Sequence, residues 1–302
     1  MLPYVHIADL EIGPIKLHPF GMLVVLAVLS GTSLARWRAK RRGLDLDQLE
    51  SFIGWMLFVG FVSAHALDAI LYHPRDVLAR PWSLLFFWEG IGSFSGFFGA
   101  LVGVVMWRHF EWVPTRFKIG SYTFKRLARR KEALAILPFA DVILSVFPIA
   151  WIFGRMGCSV AHDHPGAPAG DAAALAVAFP SSNPAVIDGP GEHSTLGPIT
   201  IIHGHFPRYD LGTLELFLTI GLATAFAILW RKRLVTGFYV VLVSLVYAPA
   251  RFAMDFLRIE GPSGDARYGH LTPAQWMCIA LFVFGLVLAR KLARKDDALT
   301  PA

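Results

Sequence analysis

The stretch "YAPARFAMDFLR" sets Tyr247, Arg251, Asp255 and Arg258 at i, i+4, i+8 and i+11, one stripe of an α-helix. Arginine offers a planar fork of donors and keeps its proton, so a buried arginine on such a stripe suits an anion. A second stretch, "GRMGCSVAHDHPG" (154–166), puts Arg155 one turn before Cys158 and follows it with His162, Asp163 and His164. Imidazole beside carboxylate is the side-chain pairing that moves protons near neutral pH. In a third, His65, Asp68 and Tyr72 fall at i, i+3 and i+7. Plainer readings exist for each. Arg251 and Asp255 can simply neutralise one another within their helix, His65 and Asp68 can be a satisfied buried pair, and Cys158 can be a small packed residue. Arg155 has no carboxylate at i±4, where Trp151 and Ser159 stand, so a functional role is favoured there. "HDH" (162–164) and "HGH" (203–205) carry zinc-type donors, but without the spacing of a metal motif no metal or cofactor is expected.

The elements that must position these residues are apolar runs. The chain has 302 residues, 55% hydrophobic and only 17% charged, against about 25% charged for soluble domains. A bilayer-spanning helix needs about 20 mostly apolar residues. Seven runs approach this: 19–36, 52–72, 93–108, 136–158, 213–230, 236–257 and 272–290. The expected fold class is an all-α polytopic membrane protein, a single transmembrane domain over 1–302. The third run is short and glycine-rich. In "WEGIGSFSGFFGALVG", Gly99 and Gly103 form a small-xxx-small pair for close helix packing, and Gly90, Gly92 and Gly96 let backbone amides approach a ligand. As a phosphate loop the pattern is weak, lacking a strand or GK[ST].

Lysine and arginine prefer the cytoplasmic side of short loops. Five fall in Arg36–Arg42, eight in Arg108–Lys131, three in Arg231–Arg233 and four in Arg290–Lys295, which is 20 of 28. These clusters follow runs one, three, five and seven, so the N-terminus is expected outside and the C-terminus in the cytoplasm. The +6 formal charge is then a topology signal, and no nucleic-acid partner is expected. Ten of eleven histidines, all but His109, fall on the outer side together with the eight other cations. Ionisable groups in such places usually line a cavity or a functional path. The N-terminal residues lack a charged n-region, so no cleaved signal peptide is expected. Cys158 and Cys278 sit in or at the end of apolar runs, which gives no disulfide framework. Residues 167–212, rich in Gly, Pro and Ala, are expected to form an external loop with a small cap, and 76–90 an amphipathic interfacial segment.

Taken together, "IGPIKLHPFGM", "WEGIGSFSG", "GRMGC", "PRYDLGTLE" and "YAPARFAMDFLR" resemble the prolipoprotein diacylglyceryl transferase family in order and spacing over nearly the whole chain. The resemblance implies a multi-pass protein of the bacterial inner membrane. It would move the diacylglyceryl group of phosphatidylglycerol onto the lipobox cysteine thiol in the signal peptide of a precursor lipoprotein, at the outer leaflet, leaving a glycerol phosphate. The family's signature arginine falls on Arg155 and its sixth-helix arginine on Arg251. Its carboxylates fall on Glu215 and Asp255, its tyrosine on Tyr247 and its first-helix histidine on His18. Where the family has "SFHGG" this chain reads "SFSGF", with Ser95 and Gly96, and where it has "GRIGNFINGE" this chain reads "GRMGCSVAHD", with Asp163 for the glutamate. His162, His164 or His18 would then supply the base in place of the missing histidine. Two other readings stay open: a diverged paralogue with another acceptor, and a non-catalytic phospholipid-binding or transport protein.

Overall fold

The computed structural model describes residues 1–13, 15–72, 74–86, 92–119, 122–170, 172–184, 186, 191–232, 234–259 and 267–297. Residues 12, 15, 71, 72, 74–76, 93, 94, 116–119, 122 and 295–297 are described by backbone alone. Gly90 and the Tyr72 side chain therefore lie outside the described residues.

In chain order, short strands β1 (Leu2–Ile7), β2 (Leu10–Ile12) and β3 (Ile15–Leu17) precede helices α1 (Pro19–Arg41) and α2 (Leu46–Tyr72). Two short helical pieces, α3 (Pro74–Ala79) and a 3₁₀ turn (Pro81–Leu85), lead to α4 (Ser93–His109). A hairpin of β4 (Phe110–Ile119) and β5 (Tyr122–Arg129) separates α4 from α5 (Leu137–Ala161). Strands β6 (Pro165–Pro168), β7 (Val177–Phe179), β8 (Glu192–Leu196), β9 (Ile199–His203) and β10 (Phe206–Asp210) then run into α6 (Leu211–Leu229). The sixth apolar run becomes α7 (Phe238–Leu242), a π-helical turn (Val243–Tyr247), α8 (Ala248–Met254) and a 3₁₀ turn (Asp255–Leu257). The last element is α9 (Pro273–Asp297).

Six helices among the described residues are long and apolar enough to cross a membrane: Pro19–Arg41, Leu46–Ile70, Leu137–Ala161, Leu211–Leu229, Phe238–Leu257 and Pro273–Arg294. Each coincides with an expected run, and the chain is a multi-pass membrane protein. The remaining run is α4, 17 residues long, about 25 Å at 1.5 Å per residue against roughly 30 Å of hydrocarbon. The fold is not all-α, however. The segment expected as a loop contributes five strands to a six-stranded sheet of order β6-β10-β7-β1-β9-β8. It pairs with the N-terminal strand, β1 being parallel to β7 (Leu2↔Val177) and antiparallel to β9 (Tyr4↔Ile202). Strands of three to six residues carry too little alternation to be read locally, and this pairing joins residues far apart in the chain.

The chain forms two compact units, one of Met1–Ala35 with Ile143–Ala302 and one of Arg36–Val142. In the second, α2 and α4 pack backbone to backbone. A Cβ on Gly103 would lie 2.5 Å from the Trp55 carbonyl oxygen and one on Gly99 2.7 Å from that of Val59, so only glycine allows the approach. Phe52, Trp107 and Phe139 form its aromatic core, and Arg42 pairs with fully buried Asp141 at 2.6 Å. In the first unit, Phe226, Tyr239 and Val243 form one core and Tyr4, Val177, Phe179 and Ile202 another inside the sheet.

Candidate functional site

The site grows from the C-terminal end of α5. At Gly212 a Cβ would sit 2.9 Å from the Cys158 backbone, so the first turn of α6 closes directly on the last turns of α5. Asp210 caps α6 by accepting from the Thr213 amide at 2.7 Å, and the Ser159 and Thr213 hydroxyls meet at 3.0 Å. One turn further, Glu215 comes under Arg155, with Arg155 Nε 3.0 Å from Glu215 Oε1, placed for charge attraction though not aligned as a hydrogen bond.

Both side chains are 2% exposed. Taking an unpaired ion out of water costs several kcal/mol, so neither would be stable there alone. Glu215 is shared, because its Oε2 lies 3.4 Å from Arg251 Nε. Tyr247, on the π-helical turn of the sixth run, donates a short hydrogen bond to Glu215 Oε1. Trp151 donates to the same oxygen at 3.4 Å and lies under the Arg155 guanidinium, 4.6 Å from ring centroid to Cζ.

Arg251 reaches the other way as well. Its Nη1 donates to Asp255 Oδ1 at 2.7 Å, and Arg258 Nε donates to the same atom at 2.7 Å. Asp255 Oδ2 accepts a short hydrogen bond from the Thr272 hydroxyl. Thr272 is the N-cap of α9 in a reciprocal box: the Gln275 amide donates to Thr272 Oγ1 at 3.2 Å and the Thr272 amide to Gln275 Oε1 at 3.0 Å. Gln275 also donates to the Phe252 carbonyl at 3.3 Å. The start of the last helix thus holds the carboxylate that holds Arg251. Arg155 and Arg251 are thus two buried guanidinium groups held side by side on carboxylates, an array of fixed donors suited to an anionic group.

Six of the residues singled out from sequence, Arg155, Glu215, Tyr247, Arg251, Asp255 and Arg258, therefore meet in one network. The three candidate histidines have other partners. His162, at the αL end of α5 with φ of 49°, sends Nδ1 to Asp210 at 2.6 Å and Nε2 to the Val5 carbonyl at 3.2 Å, and stacks on Tyr4 at 3.8 Å. Both ring nitrogens are engaged, and the ring ties β1 to the α5–α6 junction. Burial pushes the Tyr4 phenol above its ordinary pKa, with the Asp210 charge adding to the effect. His164 Nδ1 meets Asp163 at 2.6 Å in a partly exposed pair. His18 is exposed and bonds Asp9 at 2.8 Å. Ser95 and Gly96 belong to the other compact unit, where Ser95 Oγ is buried without a hydrogen-bond partner among the described residues.

Donor atoms of Cys158, Asp163 and His164 lie within 4.8 Å of one another. The set has metal-binding chemistry, but the Arg155 guanidinium, 3.7 Å from the Cys158 sulfur, puts a positive charge against any cation placed there. Trp151, Thr272 and Gln275 were not foreseen. The Thr-x-x-Gln spacing just before an apolar run is a helix-start signal readable in "LTPAQWM", whereas nothing in the sequence links Trp151 to Glu215.

A family model described as prolipoprotein diacylglyceryl transferase matches residues 8–290. The chain belongs to the prolipoprotein diacylglyceryl transferase family. It is a transferase. Among similar proteins, the phosphatidylglycerol–prolipoprotein diacylglyceryl transferase of Nitratidesulfovibrio vulgaris is 29% identical over 95% of both chains. Those of Bordetella avium, at 26% over 95% of both, and Methylococcus capsulatus, at 25% over 97% of this chain and 98% of that one, cover it as fully.

Proposed function

We propose that this protein transfers the diacylglyceryl group of phosphatidylglycerol to the lipobox cysteine thiol of precursor lipoproteins, at the outer leaflet of a bacterial inner membrane. The observation that carries the reading is the buried pair Arg155 and Arg251 bridged by Glu215. The names of the relatives, all phosphatidylglycerol–prolipoprotein diacylglyceryl transferases, support it.

The lipid phosphate, a monoanion as a diester, is held by the outward donors of Arg155 and Arg251. The peptide thiolate attacks the glyceryl CH₂ that carries the phosphate ester. The S–C bond forms as the C–O bond breaks, and the electron pair leaves with glycerol phosphate, whose charge rises from one to two. Arginine donors fixed in advance by Glu215, Asp255 and Tyr247 stabilise that added charge without reorganising. The thiol proton passes to an imidazole. His164 is assigned this role, because Asp163 orients its Nδ1 and a quarter of its side chain is open, whereas both nitrogens of His162 are held by Asp210 and Val5. His162 is assigned to positioning, and His18, Ser95 and Gly96 to contacts with lipid or signal peptide.

The test is a transfer assay with phosphatidylglycerol and a synthetic lipobox peptide. The peptide should gain the mass of one diacylglyceryl group with equimolar release of glycerol phosphate, and a Cys→Ala peptide should gain nothing. Lipid binding without either product would leave a lipid-binding protein.

A further inference from the structure

We propose that the β4–β5 hairpin, which shares no residue with the arginine network, is a docking surface for anionic phospholipid headgroups. The hairpin is fixed at its base. The Arg130 amide donates to the His109 carbonyl at 2.8 Å, while its Nε donates at 3.1 Å to the carbonyls of Trp107 and Phe110. Its Nη1 meets Glu111 at 3.1 Å. Trp112 stacks on Trp55 of α2 at 5.6 Å. The strands start at Phe110, directly after α4 ends at His109, and end eight residues before α5, a membrane-spanning helix, begins at Leu137. So anchored, the hairpin stands between the apolar helix α4 and the membrane-spanning helix α5.

Its surface suits neither water alone nor hydrocarbon alone. Paired residues of an antiparallel ladder share a face. One face thus carries Trp112 and Leu127, cross-strand partners, flanked by Arg129 opposite Phe110 and Lys125 opposite Pro114. The other carries Arg126 and Phe124. Trp112, Leu127 and Phe124 are 51%, 43% and 40% exposed, and Lys125, Arg126 and Arg129 are exposed as well. From 108 to 131 the sequence holds eight lysines and arginines and one carboxylate, Glu111, which Arg130 already neutralises. Aromatics interleaved with an excess of cations, next to a membrane-spanning helix, complement a layer of negative headgroups. A soluble acidic partner would satisfy the cations but would not account for three exposed apolar side chains beside a bilayer.

The test uses the full chain in nanodiscs carrying photoactivatable phosphatidylserine or phosphatidylcholine, each with its reactive group near the headgroup, and maps crosslinks by mass spectrometry. Each cation near an anionic bilayer is worth about five-fold in partitioning. Crosslinking within 110–129 is therefore expected to be at least five-fold higher with phosphatidylserine, and to fall to the phosphatidylcholine level in Lys125→Gln/Arg126→Gln/Arg129→Gln. Crosslinks to α1 in the same sample should stay unchanged. The single variant Arg126→Glu, expected to lose several-fold, serves should the triple variant not fold. Equal yields from the two lipids, or hairpin crosslinks that run to a second copy or another protein instead, would overturn the proposal.

Discussion

Arg155 acts through shape as much as charge. It stacks over Trp151 and pairs with Glu215, which orients its plane and leaves its remaining donors fixed. Lysine would keep the charge but lose the fork. Arg155→Lys should therefore lower diacylglyceryl transfer about as severely as Arg155→Ala, by roughly 100-fold or more on the scale of lost preorganised donors. Full activity of the lysine variant at equal protein level would remove the phosphate-clamp role. Thr272 gives a finer test. Valine there strands a buried Asp255 oxygen, a loss of about 1–3 kcal/mol, and loosens Arg251. Thr272→Val should reduce both thermal stability and phosphatidylglycerol affinity, while Thr272→Ser, which keeps the hydroxyl, should restore both. If the valine variant bound lipid normally while melting earlier, Thr272 would be only a helix cap. Arg155, Arg251 and Asp255 were readable because charges inside apolar runs stand out, whereas Glu215 came only with the family resemblance. Thr272 was not, because its partner lies 17 residues upstream across a segment with no regular spacing.

At the scale of elements, the helices were visible in advance because an apolar run near 20 residues has few alternatives in a membrane protein. The sheet was not. "PGAP" and "VAF" become strands only because β10 and β1 lie beside them, and "EHSTL" is exposed along its whole length. Pairing at long range, rather than propensity, decides such segments. The glycines of α4 were readable as a packing face, and the α2–α4 contact makes that testable. Gly99→Val would drive its side chain into Ser63 and the Val59 carbonyl, an overpacking of about 1–3 kcal/mol. Its melting temperature in detergent should fall by several degrees. Gly54→Ala, where a Cβ meets nothing within 4 Å, should melt no lower than the parent. Equal melting of the valine variant and the parent would mean that α2 and α4 are not held this closely.

For the whole molecule, the basic clusters after alternate apolar runs predict which side each segment faces. A cysteine at Ser194, on exposed β8, should react with a membrane-impermeant thiol reagent in intact spheroplasts, and one at Glu132, between the hairpin and α5, should not. Labelling at Glu132→Cys alone would invert the topology. The same sidedness bears on the strand that opens the chain. β1 lies between β7 and β9, and Val5 supplies the acceptor for His162. Its partners are therefore synthesised some 170 to 200 residues after it, when three of the six long helices, α1, α2 and α5, have been made and three have not. During biosynthesis β1 must wait without its sheet partners until β7 and then β9 are made. The sheet closes only then, so a strand made early becomes stable later than the helices that follow it.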